Sequence, residues 1–221
     1  MIRSRRLKTH PSDHSRLKFL LRYLCSRCFT IQYHHRYNSQ QVIEDLHERL
    51  NRSDRTVPPL KGVGFQYGFN SEFLQTVRKF WLESYSWEEQ ETYLNSFPHF
   101  KTNIAGLDVH FIHIKPQNTT KKVLPLLMLH GWPGSFVEFL KIIPMLTDES
   151  TEESYAFELV VPSLPGYGFS DATQKPGLGA LQMGVIFDKL MKRLQFNNYY
   201  VQGGDWGSLI GTDMATIYPH R

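Results

Sequence analysis

The stretch Tyr199-Tyr200-Val201-Gln202-Gly203-Gly204-Asp205-Trp206-Gly207-Ser208 decides the fold. Its first four residues read as a short strand and the residues after Asp205 as the start of a helix. Glycines stand two positions before and two positions after Asp205. That spacing lets a strand turn sharply into a helix and leaves the central side chain strained and exposed at the C-terminal edge of a sheet. The first helical N–H groups then sit beside Asp205, where a backbone donor can stabilise an oxyanion. A second reading competes, because Asp is a favoured N-cap and a strand-to-helix turn needs one.

Working outward, two more glycine-bearing turns follow strands: His130-Gly131-Trp132-Pro133-Gly134 and Pro165-Gly166-Tyr167-Gly168-Phe169-Ser170. The first lies where this architecture supplies its second oxyanion donor, and the pair of matched turns favours a nucleophile elbow with Asp in place of Ser. From Gly106 on, short apolar strands (Leu107–Ile114, Val123–Leu129, Phe157–Val161, Tyr199–Gln202) alternate with helical segments. Ser135 with Glu138 makes a capping box that predicts a helix to about Leu146, and Val185, Ile186, Leu190 and Leu194 recur at helical spacing over Leu181–Leu194. The expected fold class is therefore α/β, with a mainly parallel sheet over residues 106–221.

Residues 38–105 read as a helical region preceding that sheet. Ser39 and Asn70 are candidate caps for amphipathic helices, Ser86 with Glu89 forms a capping box for a third, and a Pro/Gly-rich loop fills residues 56–70. No internal repeat is present. Residues 1–37 carry nine Lys or Arg against the single acid Asp13. Such a segment reads first as a solvated tail, and its composition is shared by surface-bound amphipathic segments and targeting peptides. With the excess of the formal charge of +4 gathered there, the body of the chain offers no nucleic-acid footprint. No run approaches the roughly 20 apolar residues of a membrane span. Cys25 and Cys28 read as ordinary thiols rather than as a zinc or redox pair, and no motif implies a metal or cofactor. The sequons at Asn51 and Asn118 matter only on a luminal face.

The segments Leu126–Ser135 and Gln202–Ser208 together resemble the epoxide hydrolases of the α/β-hydrolase superfamily, in particular the microsomal branch that includes insect juvenile-hormone epoxide hydrolases. Tyr67–Asn70 and Phe97–Thr102 resemble that branch's N-terminal region. The resemblance covers residues 38–221; residues 1–37 do not resemble the family's N-terminal membrane helix. It implies a small-molecule epoxide as substrate, opened to a vicinal diol through an alkyl-enzyme ester, with Asp205 as nucleophile. The backbone N–H groups of Trp132 and Trp206 match its oxyanion hole, and Gly131, Gly134, Gly203, Gly204 and Gly207 match its motif glycines. His130 reads as a structural histidine beneath its loop. The resemblance also implies an endoplasmic-reticulum or microsomal membrane setting, with membrane-surface association and a role in xenobiotic or aromatic-hydrocarbon breakdown.

In that family two tyrosines protonate the epoxide oxygen, and an acid and a histidine activate water, all from positions after the elbow. His220 follows Asp205 by about 15 residues, roughly 20 Å of helix, and Asp213 lies about two turns along the same helix, so neither matches. The chain therefore reads as C-terminally truncated, with the strand at Tyr199–Gln202 left as an open edge, and it is expected to be poorly soluble or inactive alone. Two alternatives stand beside the hydrolase reading: a haloalkane dehalogenase-like enzyme, and a non-catalytic product acting at most as a binding partner. The preferred epoxide and the oligomeric state are not legible.

Overall fold

Six strands hydrogen-bond into one sheet among the residues that the computed structural model describes, which are 29–31, 40–53, 55–117, 119–148 and 153–221. They are β1 (Phe29–Ile31), β2 (His99–Ile104), β3 (Leu107–Ile114), β4 (Lys122–Leu129), β5 (Tyr155–Pro162) and β6 (Tyr200–Gly203), in the spatial order β1-β2-β3-β5-β4-β6. The described α-helices are α1 (Gln40–Arg52), α2 (Ser71–Glu83), α3 (Trp87–Asn95), α4 (Ile143–Thr147), α5 (Ala180–Arg193) and α6 (Trp206–Ile217).

Strands β4, β5 and β6 pair in parallel, with Leu126 opposite both Leu159 and Tyr200, as the α/β class requires of this part of the chain. The sheet is mixed: it reaches back before Gly106 through β1 and β2, and the pairings of β1 with β2, β2 with β3 and β3 with β5 are antiparallel. This antiparallel wing is the part that the sequence reading lacks. Ala105 and Gly106, both at positive φ, join β2 to β3 in a tight hairpin, a connection that only antiparallel neighbours can use.

Helices α5 and α6 pack against each other and α6 against the sheet. Phe187, Leu190 and Met191 of α5 and Ile210 of α6 join Phe111, Leu127, Leu129 and Val160 of the strands in one buried cluster. The alternate strand residues Ile112, Met128, Leu159 and Val161 are buried as well, so the central strands read as continuous apolar runs because both faces are covered. Full burial of each such side chain is worth about 1.5–3 kcal/mol. At one end of the sheet β6 pairs with β4 alone among the described residues.

The helix expected from Ser135 to Leu146 is interrupted. Residues Phe136–Phe139 form a 3-10 turn, and α4 follows separately. Pro144 lacks the N–H that an uninterrupted helix would direct at Leu140. The Ser135 hydroxyl accepts from the Val137 N–H, and the Glu138 carboxylate lies against Gly134.

A second compact unit holds α1, α2 and α3 and ends at Phe97 rather than at residue 105, because β2 belongs to the sheet. Asn70 caps α2 by accepting from the N–H groups of Glu72 and Phe73, and Ser86 caps α3 by accepting from Glu89 N–H. Arg78 of α2 donates to the Leu50 carbonyl at the end of α1, while the Ser71 hydroxyl donates to the Val57 carbonyl in the intervening loop. Ser39, Asn118, the cysteines and most of the basic segment lie outside the described residues; Phe29–Ile31 of that segment is β1.

Candidate active site

Asp205 stands between the end of β6 and the start of α6 at φ 52°, ψ −121°. L-residues avoid such backbone, which costs about 1–3 kcal/mol. Glycines make the turn possible through close approach of backbone to backbone. A β-carbon on Gly207 would stand 2.7 Å from the carbonyl carbon of Leu129 on β4, and one on Gly203 would stand 2.9 Å from Ser208 N. Residues 203 and 207 therefore bring the start of α6 onto β4 and aim position 205 outward. Gly204 has nothing within 4 Å of a β-carbon site and no positive φ, so space does not demand a glycine there.

The turn after β4 meets the elbow. A β-carbon on Gly131 would lie 2.5 Å from both Cβ and Oδ1 of Asp205. With residue 131 bare, the Trp132 N–H donates to Asp205 Oδ1 at 2.8 Å. The Asp205 side chain makes no capping bond to the second or third N–H of α6, so the N-cap reading is not what the turn realises. The N–H of Trp132 first, and that of Trp206 second, hold the carboxyl below its usual range, with slight opposition from desolvation. At neutral pH this is an ionised, solvent-facing carboxylate, bonded by the Trp132 N–H across the turns and lying beside the Trp206 N–H at the start of α6.

The other carboxylate at the turn is Glu138. Its pKa is raised, chiefly by burial and secondarily by the charge of Asp205. The indoles of Trp132 and Trp206 are 68% and 41% exposed, one on the turn that donates to Asp205 and the other next to Asp205 in sequence.

His130 is fully buried under the same turn. Its Nε2 accepts the Leu164 N–H at 3.0 Å, which fixes the neutral tautomer with Nδ1–H directed at the Gly131 carbonyl, 3.2 Å away. Burial lowers its pKa, and the Gly131 contact opposes that only in part. It is a brace between turns, as its place in the sequence led one to expect.

A second buried histidine network escaped the sequence reading. His99 Nδ1 and His110 Nε2 are 2.9 Å apart, and His110 Nδ1 lies 2.8 Å from Ser163 Oγ. Ser170 Oγ accepts from the His110 backbone N–H and donates to the Ser163 carbonyl, which closes the loop over residues 163–170. Burial, then the neighbouring His99 and Lys101, pushes His110 well below the ordinary histidine range. The signal that could have found this network is histidine recurring in otherwise apolar β3, at His110 and His113, with His99 on the strand that faces it across the hairpin.

His220 and Asp213 are not brought to Asp205. His220 lies beyond the end of α6, where its carbonyl accepts from Asn198. Among the described residues no group of three His, Cys, Asp or Glu side chains is placed to hold a metal ion.

The sequence of residues 31–139 matches the family model described as epoxide hydrolase N terminus, and residues 125–221 match that described as alpha/beta hydrolase fold. Juvenile hormone epoxide hydrolase 1 of Ctenocephalides felis is 55% identical over 184 residues, covering 83% of this chain and 39% of the relative. Epoxide hydrolase 1 of Oryctolagus cuniculus is 50% identical over 186 residues, covering 82% and 41%. The crystal structure of juvenile hormone epoxide hydrolase from Bombyx mori superposes with a TM-score of 0.78 at 49% identity, covering 87% of this chain and 50% of that one. The chain spans about two fifths of the length of these curated relatives. Two overlapping family models, the relatives' identity and the shared fold agree, and the chain belongs to the microsomal-type epoxide hydrolases of the α/β-hydrolase superfamily.

Proposed function

We propose that this protein hydrolyses epoxides to vicinal diols, and that Asp205 is its nucleophile. The observation that carries this is the ionised carboxylate on a strained elbow, held by the Trp132 N–H. In the first step an Asp205 oxygen attacks an oxirane carbon. A C–O ester bond forms, the oxirane C–O bond breaks, and its electron pair stays on the oxygen, which takes a proton. The N–H groups of Trp132 and Trp206 then face the ester's carbonyl oxygen and stabilise the charge that develops when water attacks it. A carboxylate suits an sp³ carbon because this second attack, at the carbonyl, regenerates the enzyme.

Protonating the epoxide oxygen and activating water need further groups, and among the described residues only the backbone N–H groups of Trp132 and Trp206 are seen to act on Asp205. The first step is accordingly the one that these residues support. Incubation with styrene oxide followed by intact-mass spectrometry and peptide mapping tests it: one added substrate mass on Asp205 is expected, and none in Asp205→Asn. Halide release from a bromoalkane, with no epoxide adduct, would instead favour the dehalogenase reading.

The relatives' names support juvenile hormone and other epoxides as substrates. Family membership likewise supports a place at the endoplasmic-reticulum membrane and a part in xenobiotic breakdown. No helix among the described residues is long and apolar enough to cross a membrane, and fractionation of cells expressing the protein tests the location.

A further inference from the structure

The turn at residues 131–134 carries two carboxylates. Asp205 lies against Gly131, with Oδ1 2.5 Å from where a β-carbon would stand. Glu138 reaches back from the 3-10 turn so that its Oε2 and Cδ lie against Gly134, and the Gly131 carbonyl oxygen is 3.3 Å from that same β-carbon position. Glu138 is an exposed residue, yet its carboxylate rests on the turn. Neither carboxylate takes part in an ion pair among the described residues. The side chains nearest Asp205 in sequence and on the opposite turn are the exposed indoles of Trp206 and Trp132, which offer apolar surface and no positive charge.

We propose that Glu138 is a specificity-determining residue: its charge, resting on the turn that holds Asp205, makes the approach to Asp205 anionic, so that neutral epoxides react there and epoxides bearing a carboxylate are repelled. This rests on the reading of Asp205 as nucleophile. A like charge beside a partly solvated site slows the approach of an anion by roughly three- to tenfold, and added salt screens it. Burial first, and the charge of Asp205 second, raise the pKa of Glu138, so the two carboxylates lie close enough for one to feel the other.

The test compares two probes that differ chiefly in charge, the methyl ester and the free acid of para-oxiranylbenzoic acid. Adduct formation on Asp205 is followed by intact-mass spectrometry in the wild-type chain and in E138Q. The expected result is labelling by the ester roughly three- to tenfold faster than by the acid at low salt. That ratio shrinks at high salt and moves towards parity in E138Q. Equal rates in the wild type, or an undiminished ratio in E138Q, overturn the inference while leaving Asp205 as nucleophile. An absence of adduct from both probes overturns the nucleophile reading and the inference with it. NMR titration of the Glu138 carboxyl gives a readout that needs no reaction: its midpoint falls in D205N, and an unchanged midpoint overturns the inference.

Discussion

In the sheet-bearing unit Phe187, Leu190 and Met191 have no accessible surface, whereas in the unit ending at Phe97 no helix residue is buried and Phe65 and Phe69 remain 57% and 66% exposed. The first unit is held by close packing of apolar side chains on a sheet. The second is held by caps, by loop hydrogen bonds and by the mutual contact of Phe65, Phe69 and Phe73, whose ring centres lie 5.5–5.9 Å apart. Cohesion that depends on density fails when volume changes; cohesion that depends on local bonds fails one bond at a time.

The largest break should come from Phe187→Ala, which empties the centre of the packed cluster. A loss of about 3–5 kcal/mol is expected in urea unfolding followed by circular dichroism. Gly207→Ala probes the same density from the opposite direction, since the new β-carbon meets the backbone of Leu129. It should cost about 1–3 kcal/mol and also slow Asp205 labelling, because α6 must move off β4.

Acid sharpens the contrast. His110 has its folded pKa below the unfolded value of about 6.5, so as the pH falls the unfolded chain takes up the extra proton first. Its contribution is complete above that pH and is lost as pH falls below it, by at most about 1.4 kcal/mol per pH unit. Urea midpoints of the sheet unit should therefore decline from about pH 7 down to about pH 5, and a flat profile would remove His110 from the account.

In the helical unit the effects are smaller. Asn70→Ala removes the acceptor for two N–H groups and should cost about 1 kcal/mol, read as faster amide exchange in the first turn of α2. Phe69→Ala should cost about 0.5–1.5 kcal/mol, the worth of an aromatic pair, since the ring is mostly solvated already. If it proved as costly as Phe187→Ala, the contrast between the units would collapse.

What could be read in the sequence divides along related physical lines. The elbow was legible because backbone contacts dictate its glycines: nothing larger fits at positions 203 and 207. The caps at Asn70 and Ser86 were legible because each is a local bond between residues two or three apart. Strand β2 was not, since His99-Phe100-Lys101-Thr102-Asn103-Ile104 looks polar. His99 and Thr102 are buried because partners far along the chain satisfy them, His110 across the hairpin and Arg193 on α5. The antiparallel wing escaped for a similar reason: an apolar run such as β5 reads alike whether its neighbour is the parallel β4 or the antiparallel β3. At Glu138 the sequence signalled a capping box, and the side chain lies on the neighbouring turn instead.

The close contacts at Gly203 and Gly207 run chiefly between main-chain atoms of residues 203, 207, 208 and 129 and do not involve the side chain at position 205, which among the glycines only Gly131 on the second loop meets. The turn therefore works as a socket, indifferent to what is plugged into it. Replacing Asp205 by Ser would keep the socket and forfeit the Trp132 bond, which Asp makes through the far end of its side chain. A fold built this way can change its reaction by exchanging one group, and the second loop then decides which groups are served.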